Sequence, residues 1–151
     1  MKRVAFGLVA VSFGLMSVAL AQQSRPGIRG TWKVVEVSGG NEGSITSPQP
    51  GLYMFTDKYY SMMRITGTRP RPKFESNAKA TDAEKVATYD ALFAQSGTYE
   101  ISGSTITTRP LVAKAEFPVT GPPGKAEIKI DGNILWWTAP GGQVLKFTRV
   151  E

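Results

Sequence analysis

The sequence predicts an all-β fold: an up-and-down antiparallel barrel of eight strands with one amphipathic helix in its longest connection. Three features of the 151 residues carry that expectation. Short segments rich in β-branched and aromatic residues recur along the chain, each bounded by Gly, Pro, Asn or Asp. They follow one another mostly through short turns, the order in which neighbouring antiparallel strands pair. The first segment, residues 30–37 with a Gly-x-Trp opening, also has a counterpart in the last, residues 144–150. Pairing of those two would remove the sheet edges and bring Trp32 beneath the guanidinium of Arg149, a cation–π contact worth roughly 0.5–2 kcal/mol. The alternative for this pair is a core Trp and an unrelated surface Arg.

Taken in order, residues 38–50 are rich in Gly, Ser, Asn and Pro and read as a loop. Residues 51–55 and 58–65 form a hairpin about Thr56-Asp57. Residues 67–80 contain Arg69-Pro70-Arg71-Pro72, where the prolines fix extended backbone and forbid a central strand. This is either a basic rim or lid, or a solvated connector, and the connector is the plainer reading. Thr81-Asp82-Ala83-Glu84 is a capping box, in which the Thr oxygen and the Glu carboxylate each satisfy a free backbone N–H. From there Ala83, Val86, Tyr89, Leu92 and Phe93 fall at helical spacing. The pattern predicts a helix of about three turns ending near Gln95, its apolar stripe plugging one mouth of the sheet. Residues 98–101 and 105–108 flank Ser102-Gly103-Ser104 as a hairpin; Pro110 breaks the pattern, and residues 111–113 extend an edge. The run 117–124, with three prolines and two glycines, reads as a loop. Residues 126–130 and 133–138 pair about Asp131-Gly132, a type I′ turn signal, and Pro140-Gly141-Gly142 turns into the last strand. Eight strands close on an interior wide enough for one small ligand.

Met1-Lys2-Arg3, an uncharged apolar run over residues 4–20 and Ala19-Leu20-Ala21 predict a secretory signal peptide spanning 1–21, cleaved after Ala21. A retained membrane anchor is disfavoured by the run's marginal length and its dilution with Gly7, Ser12, Gly14 and Ser17. Residues 22–29 form a flexible leader and 30–151 the barrel domain, about 130 mature residues, enough to bury most of one domain's apolar surface. The absence of Cys excludes a lipoprotein anchor, disulfides and thiol chemistry, and fits a secreted bacterial protein of the periplasm. The net charge of +6 is scattered apart from Arg69 and Arg71, without the basic-aromatic interleaving of a nucleic-acid surface.

Gly30-Thr31-Trp32-Lys33-Val34-Val35 and Gly51-Leu52-Tyr53-Met54-Phe55-Thr56 resemble segments of the bacterial lipocalin-like domain proteins. So do Arg69-Pro70 with Phe74, the run Ser96-Gly97-Thr98-Tyr99-Glu100-Ile101-Ser102-Gly103 and the closing Leu145-Lys146-Phe147-Thr148-Arg149. The resemblance spans residues 30–150 and implies a barrel of the lipocalin kind with a small-molecule cavity. It implies no particular ligand and no catalytic residues. Many members of that family carry a His after the Gly-Thr-Tyr strand; this chain has Thr107-Thr108-Arg109 there, so no role of that His transfers.

With no His and no Cys, a Ser-His-Asp triad, a Cys nucleophile, a His- or Cys-ligated metal and a His-ligated haem are excluded, and no cofactor is implied. The acids sit in helix-surface or turn contexts; Glu100, beside Tyr99, is the one to inspect for burial. The composition weighs against an enzyme and for binding. Tyr53, Tyr59, Tyr60, Met62, Met63, Tyr99, Trp136 and Trp137 are an unusual stock of apolar and amphipathic side chains on strands. Arg64 and Arg109 are the groups able to meet a carboxylate bidentately. Any single aromatic is more simply core. Alternation puts Tyr60, Met62 and Arg64 on one face and Tyr59, Ser61, Met63 and Ile65 on the other, and separates Trp136 from Trp137. If the Arg64 face is inside, the interior contains a cation and a cavity; if the other face is, the barrel is filled. The expectation is non-catalytic periplasmic binding of a small apolar or amphipathic molecule, anionic ones included. Tyr53, Tyr60, Met62, Tyr99 and Trp137 would line the site, and Arg64 or Arg109 would anchor the ligand. The alternatives are an envelope-associated interaction module without a ligand cavity and, further off, a cofactor-free isomerase or hydrolase.

Overall fold

A computed structural model describes residues 27–40, 43–71, 73–76 and 78–151. The predicted signal peptide, most of the leader and Pro72 lie outside the described residues. The first strand, β1 (Gly30–Ser38), pairs antiparallel with the last, β8 (Val144–Arg149), with Trp32 opposite Arg149. Between them come β2 (Gly51–Phe55), β3 (Tyr59–Ile65), the helix α1 (Asp82–Asp90), β4 (Leu92–Ser102) and β5 (Thr105–Ala113). A short helix α2 (Phe117–Thr120), β6 (Gly124–Asp131) and β7 (Ile134–Thr138) complete the order. Every strand pairs antiparallel with its sequence neighbours, and the sheet is a closed up-and-down barrel of eight strands. Closure gives every strand a partner on both sides, which removes the long open edge that templates aggregation.

Two-residue alternation then decides what lies inside. Trp32, Val34, Tyr53, Phe55, Tyr60, Met62, Ile106, Leu135, Trp137, Leu145 and Phe147 are buried in one core. A register shift in β1 between Val34 and Glu36 moves the alternation by one residue, so Val37 is buried as well. The barrel has two unlike ends. At one, tight turns join β2–β3, β4–β5 and β6–β7, and residues 27–29 cross beneath. Trp32 Nε1 donates to the Ile28 carbonyl at 2.6 Å, and Ile28 is buried. The Arg149 guanidinium lies 4.1 Å from the Trp32 ring and donates to the carbonyls of Arg29 and Gly27. One stacked ion pairs the first strand with the last and ties the leader over the end. At the other end lie the longer connections, which make a mouth.

Helix and strand boundaries differ from expectation around residue 92. The capping box forms as expected, with Glu84 N donating to Thr81 Oγ1 and Thr81 N to Glu84 Oε2. The helix stops at Asp90, however, and Leu92–Gln95 continue as strand, opposite Ile65–Met62. Leu92 and Phe93 continue the helical stripe, but a short apolar run also fits a strand, and pairing with β3 decides between them. The helix is not the expected plug: Val86 and Tyr89 are 58% and 51% exposed and none of its residues is buried. It stands beside the mouth, tied by Tyr89 Oη donating to the Lys114 carbonyl at 2.9 Å. The run expected as loop at 117–124 contains α2, with Pro118 in its first turn, where a missing N–H is harmless. Pro110 lies within β5; beyond Thr108 that strand pairs with β4 and no longer with β6, so the proline sits on a local edge, opposite a bulge at Ser96/Gly97.

Replacing Trp32 with Ala is expected to lower stability by roughly 3–5 kcal/mol, the range for emptying a large core site. Urea denaturation measures it, and a loss below about 1 kcal/mol would show that the seam does not hold the packed core described here.

Candidate functional site

The Arg64 face of β3 is the inner one. Gly51 stands opposite Arg64, Tyr53 opposite Met62 and Phe55 opposite Tyr60 on β2; on β4 the partners are Phe93, Gln95 and Gly97. Arg64 therefore enters the barrel near the mouth. Room for it comes from Gly51: a Cβ there would fall 2.7 Å from Arg64 Cβ and 2.9 Å from Val34 Cγ2. Arg64 NH2 donates to Gln143 Oε1 at 3.2 Å, the cation lies 5.6 Å from the Phe93 ring centre, and its Nε is buried with no hydrogen-bond partner. Beside it is Tyr53. Burial pushes the Tyr53 phenol up to about 12, against an opposing pull from the charge and hydrogen bonding of Arg64.

The interior is furnished unequally. On the β1, β2, β7 and β8 side, Tyr53 packs edge-on to Trp137 with ring centres 5.8 Å apart and against Phe147 at 4.7 Å, and Phe55 stacks on Trp137 at 6.4 Å. On the β4–β6 side the inward positions include the small residues Gly97, Thr108, Pro110, Ala113, Gly124 and Ala126 beside the larger Phe93, Tyr99 and Ile106. Tyr60 and Met62 face this wall of small residues. Gln95 completes it, its amide touching Met62 Sδ at 3.8 Å.

The residues expected to line a site divide accordingly. Tyr53, Tyr60, Met62, Arg64, Tyr99 and Trp137 all come to the interior. Tyr53 and Trp137 belong to the packed aromatic half. Tyr99 lies towards the closed end, its hydroxyl donating to the Thr56 carbonyl at 2.6 Å and its ring edge-on to Phe55 at 5.4 Å. Arg109 is not brought to them. It faces outward beside Thr98 and pairs with Glu100 Oε1 at 3.1 Å, the two side chains 47% and 73% exposed. Neither Arg109 as an anchor nor Glu100 as a buried acid fits that placement; both fall on the outer phase of strands whose inner phase carries Tyr99, Ile101 and Thr108. Trp136 likewise faces outward, beneath Lys129 at 5.3 Å. Thr108, Gln95 and Phe93 face inward and were not among the expected residues. Alternation with Ile106 was the available signal for Thr108; assignment of 92–95 to the helix hid the other two. Among the described residues no carboxylate is buried, and no group of acids could hold a metal ion. Arg69, Pro70 and Arg71 line a separate, solvent-open hollow of about 470 Å³ with Thr66, Ala87 and Asp90 at the mouth.

A closed eight-stranded up-and-down barrel, stitched by Gly-x-Trp and a C-terminal Arg and carrying polar groups inside, defines a lipocalin-like protein. The chain belongs to the lipocalin-like domain family, whose profile matches residues 29–121. A solved lipocalin-like protein from Bacteroides uniformis is similar in fold, with a TM-score of 0.50 and 14% identity over 80% of this chain and 96% of that one. An uncharacterized protein from Bacteroides eggerthii gives 0.49 and 8% over 80% and 98%. No curated protein matches the chain by sequence.

The raised Tyr53 value predicts a pH dependence. The folded state holds the phenol protonated above its ordinary 10.0, so the stability this contributes is whole below about pH 10 and is lost as pH rises towards 12. Between about pH 8.5 and 11.5 the wild type should lose roughly 2 kcal/mol more than Tyr53→Phe in urea denaturation. Equal losses in the two proteins would mean that Tyr53 ionises freely in the fold.

Proposed function

We propose that this protein is a non-catalytic carrier that binds one small amphipathic molecule inside the barrel, its anionic or hydrogen-bond-accepting end against Arg64. The observation that carries this reading is the interior guanidinium whose Nε is buried without a partner. A desolvated cationic donor is costly unless something accepts from it. A carboxylate, sulfate or phosphate ester at the mouth would accept from Nε while its apolar part lies along Met62 and the small-residue wall, the mix of apolar lining and few polar groups typical of ligand sites. Interior chemistry favours binding over turnover. Burial raises both Tyr53 and Tyr60, which keeps them neutral donors and poor bases at neutral pH. The basic start, apolar run and Ala-x-Ala ending of residues 1–21 support export and a periplasmic site of action.

A second reading, an envelope-associated interaction module, draws on the outer face of β2–β5. There Leu52, Met54, Met63 and Val112 are exposed around a Ser61–Ser96 hydrogen bond, with no charged side chain between them. Uncharged exposed faces of this kind serve as interaction sites.

Native mass spectrometry of the protein purified gently from its own cells separates the two. The wild type is expected to carry a reproducible added mass that Arg64→Ala loses and Arg109→Ala keeps, because Arg109 points away from the interior. An adduct that survives Arg64→Ala would overturn the anchor, and a bare mass in all three samples would favour the interaction module.

A further inference from the structure

We propose that the barrel contains a second, deep polar subsite made by the hydroxyls of Tyr60 and Thr108, and that its ligand is therefore bipolar. The class is a medium-length amphiphile with an anionic head at Arg64 and a hydroxyl or carbonyl oxygen near its far end. This rests on the reading of Arg64 as the head-group anchor and adds what the other end of the molecule must carry.

The deep end has polar groups that the fold leaves idle. Tyr60 is 3% exposed, and its Oη is buried with no hydrogen-bond partner. Thr108 is the polar side chain buried with the core among the described residues, and its Oγ1 makes a long 3.4 Å contact to the Gly124 carbonyl. The Thr108 hydroxyl lies close enough to Tyr60 to ease its ionisation as a side-chain hydrogen-bond partner would, although burial dominates and the phenol stays raised; the geometry between them falls short of a formed hydrogen bond. Buried hydroxyls are seldom left so poorly matched, because each has given up its water. Position 60 needs nothing polar for packing: Met62 and Phe55 beside it are apolar and buried.

A glycine stands opposite each of the two residues that carry these hydroxyls. Gly97 stands opposite Tyr60, and a Cβ there would fall 2.1 Å from the Arg109 carbonyl oxygen, so the bulge admits glycine alone. Gly124 stands opposite Thr108, where a Cβ would fall 2.7 Å from Thr108 Oγ1. Along β3, positions 60 and 64 are four residues apart, or about 13 Å at the strand rise, with Met62 between them. That backbone separation is on the scale of an extended medium-length alkyl segment with an oxygen at each end: Arg64 takes the charge, Met62 the chain, Tyr60 and Thr108 the distal oxygen.

Isothermal titration calorimetry on the purified protein, with decanoate and 10-hydroxydecanoate as probes, tests this. The wild type is expected to bind the hydroxylated acid about tenfold more tightly, the gain from one or two hydrogen bonds to buried partners. Tyr60→Phe and Thr108→Val should each erase most of that preference, read as the ratio of the two affinities in each variant, and Arg64→Ala should weaken both ligands alike. Thermal melts of the two hydroxyl-deletion variants verify that they are folded. Equal affinities in the wild type, or a preference that survives both deletions, would overturn the deep subsite and leave the anchor standing; a water bridging the two hydroxyls gives that result. Binding of neither probe would overturn the anchor and the subsite together.

Discussion

Closure of the sheet is made by the pairing of β1 with β8, and a stacked contact holds one end of that seam. Trp32 at the start of β1 and Arg149 at the end of β8 are opposite one another, and the cation sits 4.1 Å above the indole. Neither could do this alone. The indole N–H reaches down to the Ile28 carbonyl, and the guanidinium reaches the carbonyls of Arg29 and Gly27. Two strands far apart in sequence and a stretch of irregular backbone are thereby held at one point. Joining the chain's ends carries a loop-closure entropy that local contacts do not meet. A desolvated cation–π contact and a buried Trp at the seam offset it where it falls.

Once the ring is closed, every strand must choose an inside, and the alternation allows little latitude. Position 64 then becomes interior because position 62 packs beneath Tyr53 and position 60 beside Phe55. The barrel accommodates the resulting arginine by having glycine opposite it. With any side chain at position 51, Cβ would collide with Arg64 and Val34, and the strand would have to shift or expel the cation. The same economy of volume recurs at Gly97 and Gly124 on the other wall. Aromatics fill the half next to the seam, where rigidity is needed, and small residues face Tyr60 and Met62 across from it.

Much of the fold is legible in the sequence because its signals are local. Gly51-to-Ile65 and Asp131-Gly132 announce hairpins by turn chemistry, and Thr81-x-x-Glu84 announces a helix start. Even the long-range seam can be inferred from matching end segments. The helix end is not legible, since Leu92 and Phe93 continue the helical stripe while a short apolar run fits helix and strand alike, and a partner strand settles the matter. The site is half legible for a related reason. Alternation by itself groups Tyr60, Met62 and Arg64, but it does not say which phase faces inward; that is decided by the burial of Tyr53 and Met62 against the aromatic half. Arg109 is equally plausible by composition and falls on the outer phase. Thr108 and Gly97 carry no signal of their own in a sequence: one is an ordinary strand threonine, the other an ordinary strand-interrupting glycine, and their meaning comes from facing Tyr60.

The placement of Arg64 also argues about what the barrel is for. Stability alone would put an apolar side chain there, since desolvating a guanidinium costs several kcal/mol unless it is fully matched, against a typical net stability of about 5–15 kcal/mol. The matching is incomplete: Phe93 supplies a ring face, Gln143 one acceptor and Tyr53 a neighbouring hydroxyl, and Nε remains without a partner. Tyr60 repeats the pattern further in. Both groups lie on one face of one strand, each opposite a glycine. Departures from the best core are expected where a fold serves a ligand. Among the described residues the other buried polar atoms left without partners are Thr88 Oγ1 on α1 and Arg149 Nε at the seam, so β3 holds the pair that faces the interior.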